Sequence, residues 1–421
     1  MSEWHTTPLG ELTVNHDGKR RPVKEADRKP GPYPYYGASG IVDYVSDYLI
    51  DGDYLLVAED GENLRTRQTP IAFMARGKSW VNNHAHIVTG NDHADTRFLM
   101  YAIRALDIGP YLTGAVMPKL TQGNLNKIPV AHPSVEEQRA IAHILGTLDD
   151  KIELNRRMNE TLEAIARVIF KSWFVDFDPV RAKASGEAPE SICRRLGLTP
   201  DLLARFPDRL VDSELGEIPE GWGRKPLSEI CTLGRGASPR PINDFMNGDV
   251  PWIKIADATG AVGPFLFETK EKLKTEGVCK SVTVAPGDLI LSNSATCGVP
   301  IFVEIHGCIH DGWLYFKNLR SITKLYLYHL LIELADHLIH VADGSVQKNL
   351  NTNLVGSQIV LVPPTHIVDL FETQASPIFA EIRQIALESR TLSEMRDALL
   401  PKLLSGELRV PVAESEVEAR V

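Results

Sequence analysis

Between Ser134 and Trp173 the chain carries one stripe at alternating steps of four and three residues. It runs Ile141, Leu145, Leu148, Ile152, then Asn155 and Asn159, then Leu162, Ala166, Ile169 and Trp173. That spacing is the seam of a helix that packs lengthwise on another helix. Adding 230 to each number gives Phe371, Ala375, Ile378, Ile382, Ile385, Ser389, Leu392, Arg396, Leu399 and Leu403, in the same register and again mostly apolar. The chain therefore reads as two copies of one unit, each a globular part followed by a long helix. Acidic residues Glu136 and Glu137 open the first helix, where the helix dipole favours them. Only Gly146 interrupts it.

The segments before the two helices share a frame. Trp4 precedes Pro8-Leu9-Gly10-Glu11-Leu12 as Trp222 precedes Pro226-Leu227-Ser228-Glu229-Ile230. Gly52-Asp53-Tyr54-Leu55-Leu56, a turn signal followed by a buried strand, returns as Gly287-Asp288-Leu289-Ile290-Leu291. Gly114 and Leu120 return as Gly344 and Leu350, and Pro133 as Pro363. The interiors between these anchors differ. The expected organisation is a globular domain over 1–133, a helix over 134–175, a connector over 176–219, a second domain over 220–364, a second helix over 365–408 and an acidic, frayed tail over 409–421.

Several function classes are excluded early. No stretch reaches the roughly 18 apolar residues of a membrane span, and Met1-Ser2-Glu3-Trp4-His5 has no secretory pattern. Five scattered cysteines without a Cys-x-x-Cys pair fit free thiols in a reducing cytoplasm. The net charge of −10 argues against a general nucleic-acid coat while leaving room for local basic patches.

The doubled frame resembles the DNA specificity (S) subunit of type I restriction–modification systems. The residues that carry the resemblance are the Trp-x-x-x-Pro-Leu-x-Glu openings, the Gly-Asp turns, and Pro251-Trp252-Ile253-Lys254-Ile255-Ala256-Asp257. Pro133 with Gln138, Phe170-Lys171-Ser172-Trp173-Phe174-Val175-Asp176-Phe177-Asp178-Pro179 and Gly216-Glu217-Ile218-Pro219-Glu220-Gly221-Trp222 complete the set. One departure is visible: Thr365-His366-Ile367-Val368-Asp369 lacks the glutamine found at 138, which leaves the start of the second helix open. The resemblance implies an α+β protein. Two pseudo-repeated, strand-rich target recognition domains would be separated by two long helices forming an antiparallel coiled coil. It also implies a non-catalytic subunit that binds a bipartite, asymmetric site on double-stranded DNA. The helices would set the half-site spacing and dock methyltransferase (M) and restriction (R) subunits. This chain would bind no cofactor of its own, and those partners would use S-adenosylmethionine, ATP and Mg.

DNA reading needs donors and acceptors at groove edges and cations at phosphates. In the first domain the candidates are Lys19, Arg20, Arg21 and Lys24, then Tyr35 and Tyr36, then Arg65, Arg67 and Asn82. The second domain offers Arg235, Arg240, Lys254, Lys272, Lys274, Lys348 and Asn349. Each could equally be a solvated loop residue, and the tyrosines could equally pack in a core. The helix-pair seam is expected to be carried by Ile141, Leu145, Leu148, Ile152, Leu162, Ile169, Ile378, Ile382, Ile385, Leu392 and Leu399. Asn155 and Asn159 either set the register of the pair or mark where it splays into solvent.

Catalytic patterns are weak. Val362-Pro363-Pro364-Thr365 lacks the polar and aromatic residues of an amino-methyltransferase loop. Gly234-Arg235-Gly236 opens no phosphate-binding turn. His306-x-Cys308-x-His310 lacks a fourth metal ligand, so no metal site is expected. Two other classes stay open at this point: a non-DNA-binding helical scaffold, and a self-sufficient DNA-modifying enzyme with an unrecognised centre.

Overall fold

The computed structural model describes residues 4–214, 216–259, 263–294, 296–343 and 349–418. Both predicted helices form, as Val135–Phe174 and Thr365–Leu404, each of 40 residues. The second ends short of 408 because Gly406 turns the chain at a φ of 72°. The chain divides into two compact units, Met1–Glu153 with Arg390–Val421, and Leu154–Ser389. Each long helix thus gives one half to each unit, and the connector belongs to the second. The six consecutive segments expected from sequence are regrouped accordingly.

In the first unit, strand His5–Pro8 pairs antiparallel with Pro129–His132, the strand just before the long helix. A four-stranded sheet runs in the order Thr13–Asn15, Ala85–Gly90, Tyr54–Ala58, Ala72–Ala75, beside a three-stranded sheet of Gly40–Val45, Pro30–Gly37 and Trp80–Val81. Helix Thr96–Ala105 is capped by Asp95, whose carboxylate accepts from the Phe98 amide at 2.9 Å, and buries Phe98 through Ile103. Polar side chains bind the long helices to this body. Buried Gln138 accepts from the Asp95 amide at 3.0 Å and donates to His93 O at 3.1 Å and Pro133 O at 3.0 Å. Asp149 accepts from Tyr101 Oη at 2.6 Å and from Arg396 Nη1 at 2.9 Å. Arg97 donates to both oxygens of Asp150 at 2.9 Å and lies so close to Gly146 that a Cβ there would sit 2.4 Å from its Cζ. That contact accounts for the one glycine in the first helix. Ile141, Leu145 and Leu148 share a core with Leu392, Leu399 and Leu403, with Ile152 at its edge.

The tail departs from the frayed segment expected over 409–421. Val410–Glu418 is a helix, and Ala413 and Val417, one turn apart, are buried in the first unit's core beside Leu408 and Val410.

The second unit repeats the plan. Strand Gly223–Pro226 pairs with Ile359–Val362. A five-stranded sheet runs Thr232–Arg235, Trp313–Lys317, Asp288–Ser292, Pro300–Val303, Phe265–Leu266, so its first four strands repeat the first unit's order. A four-stranded sheet runs Glu271–Leu273, Met246–Ile253, Gly307–Ile309, Val282–Val284. Helix Lys324–Asp343 takes the place of Thr96–Ala105 with 20 residues against 10. Connector helices Asp178–Ala184, Pro189–Leu196 and Pro200–Leu203 add Val180, Ile192 and Leu203 to the core.

Aromatic packing holds this unit together. Phe170, Trp173 and Phe174 of the first long helix meet Phe371 of the second at centroid distances of 5.4–6.3 Å, and Phe174 meets Tyr326 at 4.9 Å. Ile382 and Ile385 are buried, and Leu162, Ile169 and Ile378 pack partly buried against the same core. Within the unit the helices run antiparallel, Phe170 lying against Phe371 and Asn155 donating to Glu388 at 2.8 Å. Asn155 and Asn159 are each 1% exposed, which removes the splayed reading. Asn155 makes the cross-helix bond expected of a register residue, whereas neither amide atom of Asn159 has a partner among the described residues.

Candidate nucleic-acid interface

The shared plan gathers polar loops at the same end of the four-strand order in each unit. In the first, the chain leaving Thr13–Asn15 bonds back from His16 N to Ile87 O at 2.7 Å, and Leu120 N donates to Glu59 O at 2.7 Å. In the second, Gly236 N donates to Trp313 O at 2.8 Å and Leu350 N to Asn293 O at 2.9 Å. The sequence candidates 19–24 and 235–240 therefore fall on corresponding loops.

In the first unit much of this polarity is spent internally. His86 is buried, with Nδ1 2.6 Å from Asp17 Oδ2 and Nε2 2.8 Å from Leu120 O. Arg20 pairs with Glu59 and with Asp17 at 3.2 Å and donates to Ala85 O at 3.2 Å, and Lys119 pairs with Glu59 at 3.1 Å. Burial works against the Asp17 carboxylate, but the bonds from His86 and the Ile87 amide outweigh it and hold its pKa below the usual range.

Several candidates are drawn into internal contacts of the unit. Arg20 lies within the ion network. Tyr35 is 1% exposed, with Arg28 over its ring at 4.5 Å and the Val23 amide donating to its hydroxyl at 3.0 Å. Tyr36 is buried beside Phe73. Arg67 donates to Arg104 O and Leu106 O, closing the end of helix Thr96–Ala105. Asn82 is buried and accepts from the His84 amide at 2.8 Å.

What faces solvent is Lys19, bonded to Tyr54 Oη at 3.2 Å, together with Arg21, Lys24 and Arg65, which donates to Gly114 O at 3.1 Å. A pair missed by sequence reasoning joins them: Lys78 lies 4.7 Å from the centroid of the exposed Tyr48 ring, which meets Tyr33 edge-on at 5.2 Å. The only signal was the basic pair Arg76 and Lys78 about Gly77.

In the second unit Arg235 and Arg240 gather around Asp311. Ser238 Oγ donates to its carboxylate at 2.6 Å, and Arg240, 75% exposed at its side chain, stands 3.9 Å away. Arg235 Nε and Asn293 Nδ2 both donate to the Asp311 carbonyl, at 2.6 and 3.0 Å. The bond from Ser238 keeps the carboxyl's pKa below the usual range despite burial. Lys254 is tied to Glu271 and lies over Trp252 at 4.9 Å, and Lys274 donates to Asp244 O at 2.9 Å. Lys272 and Asn349 are exposed, and Lys348 lies outside the described residues. His306, Cys308 and His310 do not converge: Cys308 is buried beside Trp252 and Leu273 while His306 faces solvent. Among the described residues no three His, Cys, Asp or Glu side chains are grouped to hold a metal ion.

A further stripe lies on the first long helix within the second unit. Leu154, Met158, Ile165 and Val168 fall on one heptad register, with Thr161 and Ser172 completing it and Val175 in step with it just past the helix end, and all five apolar residues are exposed, Val168 at 66%. On the charged faces, Arg156 pairs with Glu160, and Arg167 with Glu333 at 3.0 Å. Among the described residues no helix is long and apolar enough to cross a membrane.

Known proteins share this plan. The type I restriction enzyme HindI specificity subunit of Haemophilus influenzae is 32% identical over 335 residues, 69% of this chain and 71% of that one. The MjaIX specificity subunit of Methanocaldococcus jannaschii is 25% identical over 438 residues, 97% of this chain and 94% of the relative. The crystal structure of the type I restriction-modification system S subunit from M. genitalium has the same fold, with a TM-score of 0.57 over 96% of each chain at 15% identity. Residues 1–164 and 219–390 match the type I restriction modification DNA specificity domain, and the chain belongs to that family.

Proposed function

We infer that this chain reads a split, asymmetric DNA site, one half with each unit, and docks methyltransferase and restriction subunits through its helices. One observation carries the reading: a single scaffold occurs twice and presents different side chains at the same sheet end. The first unit offers Lys19, Arg21, Lys24 and Arg65, and the second offers Arg235, Ser238, Arg240 and Asp311. Different donors on equal frames suit two half-sites of different sequence.

The exposed heptad stripe from Leu154 to Val175 suits a partner helix, which would complete the burial that the helix pair leaves undone. With a net charge of −10, affinity for DNA is expected to draw on basic partner subunits as well. The chain acts without catalysis and binds no cofactor, in the cytoplasm, while S-adenosylmethionine, ATP and Mg serve its partners. Reconstitution tests this. The purified chain with DNA, Mg and S-adenosylmethionine should transfer no methyl groups, and adding a methyltransferase subunit from the same genome should yield methylation at one split motif. Transfer by the chain alone would refute the assignment.

A further inference from the structure

Gly234-Arg235-Gly236 fits no phosphate loop, yet the structure gives both glycines a steric reason. A Cβ at 234 would lie 2.1 Å from Cζ of the Tyr315 ring, and one at 236 would lie 2.1 Å from the His310 carbonyl oxygen. The backbone on either side of Arg235 is pressed against the sheet, so the base of this side chain is fixed. Its far end is fixed too, because Nε donates to the Asp311 carbonyl at 2.6 Å. That carbonyl is itself held by Asn293 Nδ2 at 3.0 Å. The two terminal nitrogens make no hydrogen bond or ion pair with any described residue, and the residue is exposed. The side chain is therefore a planar fork, ordered before any ligand arrives and with its two outer donors free.

Other candidate cations of the two units are held differently. Arg20 is consumed by Glu59 and Asp17, Lys254 by Glu271, and Lys274 by a carbonyl, while Arg240 extends into solvent with one loose ion pair. Mobile cations suit phosphates. A pre-ordered guanidinium with both outer nitrogens open matches the paired acceptors O6 and N7 of guanine in the major groove, and it loses little freedom on binding.

We propose that Arg235 is a specificity-determining residue that reads a guanine in the half-site of the second unit. The proposal rests on the DNA-reading function inferred above. Arg235→Ala and Arg235→Lys, each assembled with the methyltransferase subunit, are tested on duplexes in which every pair of the motif is replaced in turn. The expected result is a loss of about tenfold to a hundredfold in discrimination at one G·C pair of one half-site. The other half-site is unchanged, and lysine fails to restore the preference because it lacks the fork.

Uniform weakening across all sequences that Arg235→Lys restores would make Arg235 a phosphate contact and overturn the proposal. Should either variant fail to assemble, dimethyl sulfate interference on the unaltered complex decides. Methylation of one guanine N7 in that half-site must block binding, and the absence of any such guanine overturns the proposal. A wild-type complex that selects no split motif at all would instead refute the underlying function.

Discussion

His329 is 2% exposed, neither ring nitrogen has a partner among the described residues, and Phe170, Tyr328, Phe371 and Phe379 surround it at centroid distances of 5.2–5.6 Å. Burial, helped by Arg167, pushes its pKa down from 6.5 to about 4. As pH falls below 6.5 the unfolded chain takes up a proton that the folded chain refuses, so stability drains away toward pH 4. Glu163, in the same unit, does the opposite. Burial, with Glu160 reinforcing it, pushes its pKa up from 4.5 to about 7. The unfolded carboxyl ionises first, so stability falls as pH rises through that window. The two slopes oppose each other in the intact protein. His329→Phe should leave a profile that declines from about pH 5 to 7, and Glu163→Gln one that climbs over the same range. Urea unfolding midpoints at the two pH values report this directly, and profiles identical to wild type in both variants would contradict it. Which residues would end up so placed was not legible from sequence. Arg20 sits on a polar loop and Tyr35 on a strand, and only partners far along the chain (Glu59 for Arg20, Trp80 stacked on Tyr35) withdraw them from solvent.

At the scale of elements, the missing glutamine of the second copy is instructive. Gln138 satisfies one amide and two carbonyls at the start of the first long helix, whereas Val368, its counterpart, is simply buried. Gln138→Val should destabilise the protein by about 2–3 kcal/mol, since buried polar groups lose their partners, even though the second copy natively carries valine. Denaturant unfolding measures the difference, and a neutral result would mean that these groups find other partners. The helix itself was legible because its periodicity is local, and it starts at Thr365 without the glutamine. Pro377 would by rule break the second helix, yet packing of Ile378, Phe379 and Ile382 on the core carries the helix through. The tail shows the converse. Ala413 and Val417 are too few to announce a helix, and only the apolar surface waiting beside Leu408 explains one.

At the scale of the whole molecule, the doubling was the most legible property. Opening strands, sheet order and helices repeat, and the sequence anchors recur in the same order. Evolution of two different reading surfaces on one frame is what a split site demands, because the frame holds position while exposed side chains choose bases. The most direct test of that claim is the pattern of methylated bases in host genomic DNA, compared with and without this gene. A single split, asymmetric motif is expected to disappear when the gene is deleted while other methylated motifs persist. Survival of every motif, or loss of an unsplit one, would contradict it.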